Sequence, residues 1–148
     1  MPSRKVLPVV LAELAHVPVG NIVILNATGT HRRNTHDELA EMLGEEVVSR
    51  YRVLNHDAFD DTMLIHLGDV EPQVPVWLNR DWVSADIRIT TGFVEPHFFA
   101  GFSGGPKMVA PGLAGFATTM RLHDADMIAN PHACWGITEG NPIHDAIR

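Results

Sequence analysis

The stretch Asn21-Ile22-Val23-Ile24-Leu25-Asn26-Ala27-Thr28-Gly29-Thr30-His31 decides the fold. Its first six residues form an apolar, β-rich run, the pattern of a strand covered on both faces in a parallel sheet. The run ends in a polar turn that carries a histidine. Downstream, Thr35 is placed to cap the N–H groups of Asp37 and Glu38, opening a helix with Leu39, Met42 and Leu43 on its apolar side. Gly44 interrupts that helix, a second short one passes through Val47 and Val48, and Tyr51-Arg52-Val53-Leu54-Asn55 reads as the next strand. Strand, helix, strand predicts an α/β fold, a mostly parallel sheet flanked by helices in the Rossmann-like manner.

Outward from this unit the pattern continues. Leu7, Val10, Leu11 and Leu14 fall at helical spacing, predicting a helix over 7–15 with Pro8 in its first turn. Two apolar runs, 63–67 and 74–78, suit strands of a smaller, partly antiparallel element, with Pro75 favouring an edge. Residues 85–91 read as a strand that leads into a glycine-rich loop, and 116–128 as a helix with Arg121 and Asp124 outward. No internal repeat or low-complexity linker interrupts the chain, so residues 1–148 are read as one α/β domain.

The loop is Thr91-Gly92-Phe93-Val94-Glu95-Pro96-His97-Phe98-Phe99-Ala100-Gly101-Phe102-Ser103-Gly104-Gly105-Pro106-Lys107. It gathers a histidine, a hydroxyl, glycines and a lysine, a mixture that folding alone does not require. Glycines allow close backbone approach, so main-chain N–H groups around Ser103 are expected to face something anionic. A tight turn with no ligand is the plainer reading of Gly101, Gly104 and Gly105. A phosphate-binding P-loop is excluded, because Pro106 stands where its second glycine belongs and Met108 where its magnesium-binding hydroxyl belongs. Both His31 and the loop follow predicted strand ends, the edge at which open α/β sheets bind ligands. Two histidines and a lysine therefore flank one expected crevice. Phe98, Phe99 and Phe102 are read as packing for the loop, or as an aromatic wall for a flat ring.

With 148 residues, 45% of them hydrophobic, the chain can bury a core. Its net charge of -7, with 11 basic residues scattered among 18 acidic ones, excludes a general nucleic-acid binder. No run approaches the roughly 20 apolar residues of a membrane span, and no signal peptide is evident, so a cytoplasmic location is expected. The single Cys134 cannot form an internal disulfide and is read as a small apolar residue. Of nine histidines, His16, His36, His56, His66, His132 and His144 lack a recognisable chemical neighbourhood, although His56 and His66 could pair across a turn.

The glycine-rich segment resembles the signature of the nickel-pincer lactate racemases and their relatives. The resemblance extends to Ala27-Thr28-Gly29-Thr30-His31-Arg32, to His123 and to Gly140-Asn141-Pro142, and so covers most of the chain. It implies racemisation or epimerisation of a small 2-hydroxy acid, lactate or a relative. In such chemistry a base takes the hydroxyl proton while a cofactor accepts the hydride, giving a planar 2-keto acid that is re-reduced from either face. Two substrate hands need two proton positions, and His31 and His97 are the pair expected to provide them. The resemblance further implies a nickel-pincer nucleotide held covalently at Lys107 as a thioamide, His123 as the nickel ligand, and cofactor maturation proteins as partners. Thr28, Gly29, Thr30, Ser103, Gly104 and Gly105 are the expected cofactor-binding residues, with Arg32 or Arg33 aiding electrostatically; the plainer reading of Thr28, Gly29, Thr30 and Arg32 is a strand-to-helix turn.

The same resemblance implies a longer protein, in which 1–148 is part of an N-terminal cofactor-binding domain and the C-terminal domain is absent. A substrate-binding arginine is expected just before the point where Met1-Pro2-Ser3-Arg4 begins. This stretch alone is not expected to be active, since an open crevice does not exclude water. Two other classes compete: a non-catalytic anion- or nucleotide-binding domain, and a metal hydrolase with His31, His97 and His123 as zinc ligands.

Overall fold

The computed structural model describes residues 2–70 and 73–148. The chain divides into two compact units, one formed by the chain up to Asn26 together with Arg32–Asn55, the other by Ala27–His31 and His56–Arg148.

The first unit is the strand, helix, strand element expected from the sequence. β1 (Val23–Asn26) pairs in parallel with β2 (Arg52–Asn55), in register from Val23 opposite Arg52 to Asn26 opposite Asn55. Helix α1 (Ser3–Glu13) precedes them, and α2 (His36–Leu43) and α3 (Glu45–Arg50) form the crossover. α2 starts where Thr35 accepts from the Glu38 N–H while the Glu38 carboxylate accepts from the Thr35 N–H, a reciprocal capping box. Arg32 donates twice to the same carboxylate, at 2.8 and 2.6 Å. Its hydrogen bonds, followed by that of Thr35, hold Glu38 down to about 2. Gly44, at φ 99°, ends the helix in a conformation that disfavours residues with a Cβ. Leu11, Leu39, Leu43 and Val47 form the core of this unit, with Ile22, Ile24 and Val53 packed against it. At the strand ends Asn26 Nδ2 donates to Asn34 Oδ1 and Asn55 Oδ1, at 2.9 and 2.8 Å.

Two details differ from the sequence reading. α1 begins at Ser3, so Pro8 lies inside it; a proline there cannot donate to the Arg4 carbonyl, but the apolar face of the helix outweighs that one missing bond. Met42 is exposed, because the helix turns Leu39 and Leu43 inward at a spacing of four and leaves Met42 beside them.

In the second unit β3 (Leu64–Val70) and β4 (Val74–Asn79) form the expected antiparallel pair, with a register shift between His66 and Asp69. α4 (Arg80–Ser84) follows, capped by Asn79, and then β5 (Pro96–His97) and β6 (Gly101–Phe102) make a minimal antiparallel hairpin. α5 (Phe116–Leu122), α6 (Ala125–Ile128) and α7 (Pro142–Ile147) complete it. The core contains Val74, Ala100, Leu122, Met127, Ala133 and Ile143.

The class is α/β, and among the described residues the parallel pairing is confined to β1 and β2. The strand expected over 85–91 does not form. Arg88 instead turns its guanidinium back onto the carbonyls of Trp82 and Val83, at 2.7 and 2.6 Å, and Ile87 is 75% exposed. β-propensity needs a neighbouring strand to act on, and among the described residues none pairs with this segment. The helix expected over 116–128 is broken into α5 and α6, with His123 ending the first and Asp124 at the N-cap of the second. Nor do His56 and His66 pair: His66 stacks on Trp77 with ring centroids 4.6 Å apart, while His56 is buried elsewhere.

Candidate active site

The Ala27–His31 segment is held by hydrogen bonds to the rest of the second unit and by one within its own turn. Thr28 Oγ1 donates to the His56 carbonyl at 2.7 Å, the Gly29 N–H to the Gly112 carbonyl at 2.9 Å, and the His31 N–H to the Thr28 carbonyl at 3.0 Å. Behind it lie His56 and Asn79, both 0% exposed. His56 Nε2–H donates to the Ala114 carbonyl at 2.9 Å and Nδ1 accepts from Asn79 Nδ2 at 3.3 Å. The Asn79 Oδ1 in turn accepts from the Asp81 and Trp82 N–H groups, which assigns the amide orientation and the imidazole tautomer together.

This network requires a neutral ring, and burial lowers the His56 pKa from 6.5. The unfolded chain then binds a proton that the folded one refuses, so stability falls as pH drops below about 6.5. Thermal melts from pH 7.5 to 5.5 are expected to show this fall, and His56→Gln to flatten it. Equal slopes for both proteins would assign the acid sensitivity to other groups.

Around the glycine-rich loop, Ser103 is a clamp. Its N–H donates to the Glu95 carbonyl at 2.8 Å, its hydroxyl lies 3.1 Å from the Phe93 carbonyl, and the Glu95 N–H donates to that hydroxyl at 3.1 Å. Gly104, at φ 71°, packs so closely that an added Cβ would lie 2.4 Å from the Phe93 oxygen. Backbone packing is thus one physical reason for this glycine.

On the hairpin, His97 Nδ1 accepts from the N–H groups of Phe99 and Ala100 at 3.4 and 3.2 Å, so the neutral ring carries its hydrogen on Nε2. Phe98 stacks on the imidazole at 4.6 Å and Phe99 meets it edge-on at 4.5 Å. Burial, then the charges of Lys107 and His123, push the His97 pKa down. Lys107 sits half-buried on the 3-10 turn Gly105–Met108, and burial lowers its pKa as well, favouring the nucleophilic amine. His123 donates from Nδ1 to the Thr119 carbonyl at 2.6 Å, which in the neutral ring places the lone pair on Nε2, the nitrogen able to bind a metal.

These groups share one cavity of about 400 Å³, within the range of small-molecule sites and contained wholly in the second unit. His31, His97, Lys107 and His123 line it, together with Thr28, Gly29, Thr30, Ser103 and Gly104. Gly105 lines instead a neighbouring apolar recess of about 270 Å³. Arg32 engages Glu38 and belongs to the first unit. No group of three or more His, Cys, Asp or Glu is arranged to hold a metal among the described residues, so a three-histidine zinc centre is not assembled there. Phe98 and Phe99 are wall residues, Thr119 is one that sequence reading did not assign, and His56 and Asn79 are supports it missed. Only long-range contacts reveal them.

The model of the lactate racemase N-terminal domain matches residues 1–136. The chain belongs to the lactate racemase family. Two relatives named lactate racemase, from Lactiplantibacillus plantarum and Thermoanaerobacterium thermosaccharolyticum, are 39% and 38% identical over 145 residues, 97% of this chain. The solved structure of the lactate racemase apoprotein from T. thermosaccharolyticum is similar, with a TM-score of 0.94, 37% identity and 99% of this chain covered. A protein from Thermotoga maritima is similar over 84% of the chain, with a TM-score of 0.68 and 28% identity. The chain spans about a third of these relatives, 34% of each curated racemase, 35% of the apoprotein and 33% of the Thermotoga protein. Among the described residues no helix is long and apolar enough to cross a membrane.

Proposed function

We propose that this chain is the cofactor-bearing portion of a racemase or epimerase of a small 2-hydroxy acid, lactate or a relative. The observation that carries this reading is the single cavity lined by His31, His97, Lys107 and His123. The residues present also fit a lysine-tethered nickel-pincer nucleotide. The His123 imidazole is oriented by Thr119, the Lys107 amine is shifted toward its neutral form, and the wall residue Thr119 has a buried hydroxyl with no partner among the described residues.

When bound, such a cofactor supplies a reversible hydride acceptor. The chain's residues do the rest. His97 and His31 line the same cavity and are the two groups that exchange a proton with the substrate hydroxyl, the neutral imidazole taking it and the imidazolium returning it; each reverses its role for the opposite enantiomer. Lys107 is the attachment point, His123 the protein ligand to nickel, and Thr28, Gly29, Thr30, Ser103, Gly104 and Gly105 the surrounding contacts, with cofactor maturation proteins as partners. Phe98 and Phe99 fix the angle of the His97 ring.

Intact-mass analysis tests this. Protein made together with cofactor maturation proteins is expected to carry a lysine-linked adduct that maps to Lys107 and is missing from Lys107→Arg. An adduct absent from the parent protein, or mapping to another lysine, overturns the assignment.

A further inference from the structure

Consecutive threonines on α5 serve opposite purposes. Both are buried, Thr118 at 2% and Thr119 at 3% exposure. Thr118 is fully used: its hydroxyl donates to the Pro75 carbonyl at 2.6 Å and accepts from the Trp77 N–H at 2.9 Å, pinning α5 to β4. Thr119 Oγ1, among the described residues, is the one buried side-chain polar atom with no hydrogen-bond partner. A helical threonine ordinarily quiets its hydroxyl on the carbonyl four residues back. Here the Gly115 carbonyl takes the Thr119 N–H at 3.0 Å, and the hydroxyl makes no such bond.

Thr119 also lines the cavity that His31, His97, Lys107 and His123 share. Its main-chain carbonyl receives the Nδ1–H of His123, so the residue that orients that imidazole is also the one that carries an unpaired hydroxyl. Valine would fill the same space and spare the desolvation of an unpaired hydroxyl. A buried, unpaired hydroxyl kept on a residue of the cavity wall has a use when the cavity is filled.

We infer that the Thr119 hydroxyl is a cofactor contact, completed by an anionic acceptor atom of the lysine-tethered group next to the His123 ligand. This rests on the proposed function above and adds a binding residue to it. Because the contact is made through the side chain, substitution leaves the carbonyl that holds His123 in place.

Thr119→Val and Thr119→Ser test the inference in the whole, cofactor-loaded protein, with nickel release into a chelator as the readout. Thr119→Val is expected to release nickel about tenfold faster or more, the size of effect seen when a supporting hydrogen bond at a metal site is removed. Thr119→Ser should restore the parent rate. In the unloaded protein Thr119→Val should melt at the parent temperature or above it. Unchanged nickel release in Thr119→Val, or an unloaded variant that melts several degrees lower, overturns the inference, the latter because it would expose an internal partner for the hydroxyl. Failure of the parent protein to acquire any lysine-linked adduct is a different result, and it overturns the proposed function and this contact together.

Discussion

Gly101→Ala is expected to lower the melting temperature by roughly 10 °C or more. Two costs act at once. Gly101 sits at φ 76°, where an L-residue with a Cβ is disfavoured by about 1–2 kcal/mol. A Cβ there would also lie 2.3 Å from the Ile137 carbonyl oxygen, well inside contact distance, and forcing atoms into a packed site costs about 1–3 kcal/mol. The oxygen has no easy escape, because Asn141 Nδ2 donates to it at 2.9 Å while the Gly136 N–H donates to the Gly101 carbonyl at 2.9 Å. Asn141 is itself fully buried, donates to the Phe99 carbonyl and caps α7 through its Oδ1. Strain at Gly101 therefore passes into the segment that carries His97 and Phe99. Gly105→Ala is the control: φ 49° with nothing within 4 Å of the added Cβ, so only the backbone cost of about 1–2 kcal/mol applies. Thermal unfolding of both variants checks the contrast, and a Gly101→Ala shift no larger than that of Gly105→Ala would remove steric packing as the reason for this glycine.

The parts of this fold that are legible in the sequence are those whose signals are local and agree. From β1 through α2 to β2, the apolar run, the Thr35 and Glu38 capping pair and Gly44 all point the same way within a few residues. Residues 85–91 carry an equally strong β pattern and still form no strand, since a strand is defined by its partner and the alternation of Ile87 and Ile89 contains no information about one. The break between α5 and α6 is intermediate. Asp124 is a good N-cap, but Arg121 and Asp124 also read as an ordinary outward pair on one continuous helix, and they do form an ion pair at 2.9 Å. The break leaves His123 at a helix end with its Nδ1 on the Thr119 carbonyl.

The candidate site divides in the same way. His97, Ser103 and Lys107 stand out because unusual residue types crowd one short segment. His56 and Asn79 do not, since a histidine 58 positions away from the carbonyl it serves looks like any other until the chain is folded. Thr119 is hidden more deeply. Its sequence neighbour Thr118 is chemically identical, and only the partners of one hydroxyl and the lack of partners of the other tell the two apart.

His97→Ala is expected to reduce racemisation about 10²–10⁴-fold in the whole, cofactor-loaded protein while leaving the lysine-linked adduct in place. The imidazole is held by the Phe99 and Ala100 N–H groups at Nδ1 and by Phe98 stacked against its face, so its orientation is fixed in a way that a water molecule in its place would not reproduce. His97→Gln separates positioning from proton transfer. The amide can still donate a hydrogen bond to a substrate oxygen but cannot pass a proton, so KM should remain near the parent value while kcat stays as low as in the alanine variant. His31→Ala should cause a loss of the same order, because each turnover that inverts a stereocentre needs a proton exchanged on both sides of the planar intermediate. Activity is read as the approach of either pure lactate enantiomer to the racemic mixture, and adduct content by intact mass. Retention of more than about a tenth of the parent rate by His97→Ala would remove this histidine from the proton-transfer role, and simultaneous loss of the adduct would make it a support for cofactor loading instead.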